Sequence, residues 1–143
     1  MTVRPAVVLA RLAHLGFVLD QLERLRALRA GGATDPVYDL GAERALHVAA
    51  EAIFDIGHHV LAGRGHPVPG TYREVVPALV AHGLFPAELA SRFEGMAGLR
   101  NLLVHDYVRV DVALLWRAVE EHLGDLRAAH AAPSVLPELG RAG

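Results

Sequence analysis

Val8, Leu12, Leu15, Leu19 and Leu22 recur at alternating spacings of four and three. That period matches one side of an α-helix and no other regular structure. The chain must therefore open with a long amphipathic helix whose apolar side needs partners. Arg11, Asp20, Glu23, Arg24 and Arg26 lie off the stripe. Pro5 suits the first turn, where its missing N–H costs nothing, and Gly31-Gly32 ends the run near Ala30.

The same punctuation repeats downstream. Asp35-Pro36 reads as an N-cap with proline at the first helical position, opening a second long helix that Gly63-Arg64-Gly65 closes near Ala62. Thr71-Tyr72-Arg73-Glu74 has the form of a capping box and starts a short helix to about Ala81, ended by Gly83. Pro86 opens a fourth helix to about Val104, and Asp111 caps a fifth from Val112 to about Ala129. The only β-like fragment, Val108-Arg109-Val110, is too short to count as a strand. The expected fold is all-α, an antiparallel up-and-down bundle of about five helices. It forms one domain over residues 1–132, followed by a Pro/Gly-rich tail, 133–143, expected to fray.

Gly57, Gly95, Ala97 and Gly98 are small enough to let helices approach closely or to meet a second subunit. Trp116 lies on the stripe Val112, Leu115, Trp116, Val119 and Leu123, which suits core or dimer packing. Hydrophobic residues make up 52% of the 143, enough for a sizeable core in one domain.

Charge and cysteine content remove several function classes. The net charge of −2 gives no global basic field, so any nucleic acid must be held by a local cluster. All 14 basic residues are Arg, whose planar fork suits phosphate. With no Cys, disulfides, thiolate metal sites and cysteine nucleophiles are excluded. No signal-peptide pattern and no uncharged apolar run of roughly 18 residues is present, so a cytoplasmic chain without a membrane span is expected.

Two polar constellations stand out. His47, Glu51, Asp55 and His59 follow one another at spacings of four, forming a ridge of the second helix. A carboxylate-bridged metal pair in a bundle needs Glu-x-x-His motifs on two helices, and the sequence contains none, so no metal is expected. A solvated face explains the ridge; so does a role for Glu51 and Asp55 in holding an arginine such as Arg100. Arg24, Arg26 and Arg29 cluster at the end of the first helix, where cations complement the helix dipole.

The second constellation is Arg100-Asn101-Leu102-Leu103-Val104-His105-Asp106-Tyr107. Arg100 and His105 are five positions apart, which puts them about 140° apart around a continuous helix. They can converge only if the helix stops between them or if two chains bring their motifs together. By spacing alone, a bundle salt bridge for Arg100 and a C-terminal helix cation for His105 are the simpler account. The residue types nonetheless fit phosphodiester cleavage. Arginine grips phosphate in bidentate fashion and stabilises charge in the transition state. Histidine takes or gives a proton near neutrality. RNA supplies its own nucleophile in the 2′-hydroxyl.

The stretch from Gly98 to Tyr107 resembles the hallmark of the HEPN superfamily in its HepT-like subgroup: Arg, four residues, His, one residue, Tyr. Glu43 to Ala62 resembles that family's second helix, and Pro69 to Val75 its loop and helix entry; the likeness runs in order over roughly residues 5–128. The resemblance implies a dimerising helical bundle and a metal-independent ribonuclease toxin with its motif at the dimer interface. It implies no cofactor, an RNA substrate, and as partner an MNT-type nucleotidyltransferase antitoxin, with higher hetero-oligomers of the two open. Carried over, Arg100 and His105 are catalytic, Asn101 and Tyr107 orient the substrate, and Tyr107 is the residue that receives AMP. The alternative from another class is a non-catalytic HEPN module that binds a nucleotide or docks a nucleotidyltransferase.

Overall fold

The computed structural model describes residues 2–105 and 111–140, with side chains described at all of these except 97–105, 134, 135 and 140. Six α-helices and no strand occur among the described residues. They are α1 (Pro5–Ala30), α2 (Pro36–Gly63), α3 (Tyr72–Ala81), α4 (Glu88–His105), α5 (Val112–Ala131) and the single turn α6 (Pro137–Gly140), with one 3₁₀ turn at Ala132–Val135.

The opening stripe does what its period requires. Val8, Leu12, Leu15, Leu19 and Leu22 are all buried, joined by Val18. α1 packs along α2 and against α5. Leu25 meets Gly41 near one end of the α1–α2 pair, and Arg11 meets Asp55 near the other, so the two helices run antiparallel. α1 is long and apolar enough by composition to cross a bilayer. The stripe from Val8 to Leu22 is taken up by the bundle, however, and Arg11, Asp20, Glu23 and Arg24 face outward.

Two of the three expected caps form as read. Asp35 accepts the Val37 amide at 3.0 Å, and Asp111 accepts those of Ala113 and Leu114 at 2.9 and 3.2 Å. Such a cap is worth about 1 kcal/mol. The capping box does not form. Thr71 is the N-cap of α3, but its carbonyl, not its hydroxyl, takes the Glu74 amide at 3.2 Å. Both side chains are exposed there, so water satisfies what the reciprocal box would have. Pro86 sits in the turn before α4 and accepts from the Leu89 amide at 3.1 Å; the helix proper starts two residues later. Gly65 and Gly83, at φ of +75° and +72°, close the turns after α2 and α3 in left-handed geometry that side chains disfavour.

α3 lies on α2 and α4, and α4 also touches α5. Gly57 marks a tight approach of α2 to α3: a Cβ there would come within 2.7 Å of Val75 Cγ1 and 3.0 Å of Leu79 Cδ1. At Gly95 a Cβ would have ordinary contact with His122 at 3.7 Å, so that glycine is not forced by packing. Trp116 is in the core at 7% exposure.

The segment expected to fray is folded over the end of α2 as far as 140. Leu136 is buried, and Glu138 in α6 receives two hydrogen bonds from Arg64, at 2.7 and 3.0 Å. The prolines serve the turns that bring the chain back: Pro133 lies in the 3₁₀ turn and Pro137 opens α6.

Candidate functional site

α4 carries the Arg-x4-His motif on its backbone without interruption, from Glu88 through Arg100, Asn101 and His105. Leu89, Phe93 and Met96 are its buried stripe, at spacings of four and three. Position 100 continues that register, and position 105 lies about 140° further round the axis. The helix thus separates the two positions along one chain instead of ending between them. The side chains of Arg100, Asn101 and His105 lie outside the described ones, and Tyr107 lies outside the described residues altogether.

The polar ridge of α2 is described in full. It lines an open cleft of about 520 Å³ with α1, bordered by Arg11 and His14 on one side and Arg44, His47, Glu51 and Asp55 on the other. Its members serve different partners. Asp55 takes the Arg11 guanidinium from α1 at 3.3 Å. Glu51 receives the Tyr72 hydroxyl from α3 at 3.3 Å and sits 3.5 Å from His47 Nε2, one turn back on its own helix. His59 Nε2 accepts the Arg4 amide at 3.0 Å, tying the N-terminal segment to α2. Burial, together with the nearby Arg4 and Arg11 charges, holds His59 below the ordinary histidine range. Among the described residues no three His, Asp or Glu side chains gather as metal ligands.

Three of these contributors were not singled out by the sequence. Arg11 is simply an off-stripe residue of α1, His14 is one of nine histidines, and Tyr72 pairs with a residue 21 positions away. No local spacing reports that α1 and α3 flank the ridge; only the helix packing does. Two of the arginines that close α1 hold the bundle, whereas Arg24 bonds Gln21 on its own helix at 3.1 Å. Arg26 pairs with Glu120 of α5 at 2.8 Å, and Arg29 lies 5.4 Å from the centre of the Trp116 ring and 3.6 Å from Asp39.

An all-α bundle with an unbroken motif helix and an arginine- and histidine-lined cleft defines a class that comparison makes specific. The HepT-like family, described as Ribonuclease HepT-like, matches residues 18–132. The chain belongs to this family of ribonucleases.

Two characterised relatives are similar in sequence. The mRNA nuclease HepT of Shewanella oneidensis is 30% identical over 80 residues, which span 56% of this chain and 60% of that protein. The tRNA nuclease HepT of Aphanizomenon flos-aquae is 27% identical over 118 residues, spanning 82% of this chain and 80% of the other. Among solved structures, the tri-AMPylated HEPN toxin of Shewanella oneidensis, in complex with its MNT antitoxin, superposes with a TM-score of 0.77 at 21% identity, covering 88% of this chain and 95% of that one. The Bacillus subtilis protein YutE, described as a cytosolic protein of unknown function, superposes with a TM-score of 0.72 at 20% identity, covering 92% and 93%. Both structures are evidence for the fold.

Proposed function

We propose that this chain is a metal-independent endoribonuclease toxin, active as a homodimer, whose site is completed by two copies of the Arg100/His105 motif. The observation that carries the reading is the continuity of α4 through both positions. One helix holds Arg100 and His105 about 140° apart, so a second copy is the simplest way to bring an arginine and a histidine to one phosphate. Membership of the HepT-like family and the nuclease names of its relatives support the same reading.

In this mechanism Arg100 grips the scissile phosphate and stabilises its extra negative charge, and Asn101 orients it. One His105 takes the proton from the 2′-hydroxyl as that oxygen attacks phosphorus. The His105 of the other copy gives a proton to the departing 5′-oxygen. The products are a 2′,3′-cyclic phosphate and a 5′-hydroxyl, and no metal ion enters the balance. Each positioned proton-transfer group is worth typically 10²–10⁴-fold in rate. Arg100 also needs an anion to hold its guanidinium in place. Glu51, already fixed by Tyr72 and His47, is proposed as its support, with Asp55 held alongside by Arg11.

The proposed partner is an MNT-type nucleotidyltransferase antitoxin, the kind of protein bound to the HEPN toxin in the Shewanella complex. Transfer of AMP to Tyr107 would add a bulky anion two residues from His105 and repel the substrate phosphate.

The test is cleavage of RNA in EDTA by the chain purified without its antitoxin. Arg100→Ala and His105→Ala should each lose the activity. No cleavage of any RNA by the unaltered chain sinks the nuclease reading, and full activity in His105→Ala sinks the assignment of that residue. Mass spectrometry after co-expression with the antitoxin should place an AMP adduct on Tyr107. An unmodified tyrosine in an inactive complex would point to inhibition by simple occlusion.

A further inference from the structure

The cleft between α1 and α2 contains an arginine that no carboxylate of the described protein claims. Asp55 is satisfied by Arg11, and Glu51 by Tyr72 and His47. Arg44 is exposed, and among the described residues its polar contact is His47 Nδ1 at 3.5 Å. His14 faces this cluster from the α1 wall of the same cleft.

One turn of α1 further on stands Phe17, 61% exposed. It is seven residues from Ala10, which lines the cleft, so it falls on the same stripe of the helix about two turns along. A phenyl ring left mostly in water forgoes most of the stabilisation that its burial would bring. An aromatic plane one turn from a cleft that holds an arginine without a carboxylate partner is the combination that single-stranded nucleic acid uses: a phosphate on the arginine, a base on the ring. An acidic peptide would use the arginine and have no need of the ring. Both groups stand on helices, so their spacing is fixed before any ligand arrives.

We propose that this cleft is a track for single-stranded RNA flanking the cut, with Arg44 holding a backbone phosphate, Arg11 and His14 assisting, and Phe17 stacking a base. The inference rests on the ribonuclease reading and adds to it Arg44, His14 and Phe17, which the proposed catalysis does not use.

The test is binding rather than cleavage. Fluorescence anisotropy of a labelled single-stranded 2′-O-methyl oligonucleotide, which lacks the attacking hydroxyl, is measured across a salt series. Arg44→Ala, Phe17→Ala and a control at an exposed arginine of α5, Arg117→Ala, are compared with the unaltered chain. Circular dichroism confirms that each is folded. Arg44→Ala should weaken binding and lower the slope of log affinity against log salt by about 0.7, one single-strand phosphate contact. Phe17→Ala should weaken binding roughly tenfold and leave the slope unchanged. Arg44→Ala and Phe17→Ala behaving like Arg117→Ala would overturn the proposal. So would displacement of the oligonucleotide by polyglutamate as readily as by unlabelled oligonucleotide. Absence of RNA cleavage with the Arg44 and Phe17 effects intact would remove the nuclease reading and leave the track standing.

Discussion

The Trp116 indole N–H donates to Asp39 Oδ1 across 2.7 Å, fastening the start of α5 to the start of α2. Trp116 is nearly buried, and a buried indole N–H without an acceptor is costly. Asp39→Ala leaves that donor orphaned and also removes the carboxylate facing Arg29. The expected loss is about 1–3 kcal/mol of unfolding free energy by denaturant titration. Trp116→Phe in the Asp39→Ala background should then cost little more, because the orphaned group has gone. Independent, additive losses would contradict the account.

Gly57 is where α2 admits α3. Gly57→Ala pushes a methyl to 2.7 Å from Val75 Cγ1, closer than real contacts allow. It should destabilise by about 1–3 kcal/mol despite the better helix propensity of alanine. Adding Val75→Ala should restore part of the loss. An unchanged melting temperature in Gly57→Ala would show that α3 can shift at no cost.

His59 carries a pH dependence with a defined sign. Its folded pKa is lowered by burial and by Arg4 and Arg11, so the folded chain takes up the proton less readily than the unfolded one, whose value is 6.5. The stabilisation is present above the unfolded value and is lost as pH falls below it toward the folded one. Unfolding midpoints measured from about pH 8 down to about pH 5 should therefore decline more steeply in the unaltered chain than in His59→Gln. Parallel curves would contradict it.

Arg127 of α5 is held by Asp20 at 2.8 Å and Glu23 at 2.9 Å, both on α1. The hydrogen bonds to Glu23 and Asp20 raise its pKa further above the range where it could lose its charge. The carboxylates are largely exposed and Arg127 is half-buried, so Arg127→Ala should cost only about 1 kcal/mol, as expected for a small surface network. The loss should shrink in high salt; a loss that ignores salt would assign it to packing of the arginine stem instead.

What could be read from the sequence follows the range of the forces involved. Local signals were sufficient for α1, α2 and α5: the stripe from Val8 to Leu22, the Asp35-Pro36 start and the Asp111 cap all depend on neighbours within two turns. Thr71 and Glu74 show the limit even there, since a motif permits a hydrogen bond that solvent can supply as well. The path of the chain beyond Pro133 depended on Arg64, more than 70 residues away, and no spacing reports such a partner. The cleft was half legible. The α2 ridge has a visible period, whereas Arg11, His14 and Tyr72 join it only because α1 and α3 pack on either side. The motif itself was legible as a string, and helix geometry alone argued that Arg100 and His105 do not face one another on one chain.

The meeting of Val3, Gly63 and Glu138 has a topological consequence. Thr2, Val3, Arg64, Pro137 and Glu138 border a single small hollow, so the first and last described stretches of backbone run beside one another. Joining the two stretches through a short linker and cutting at Gly31-Gly32, a turn where Gly32 already stands at φ of +97°, would renumber the helices without moving them. Chain order and three-dimensional arrangement are separable in this fold.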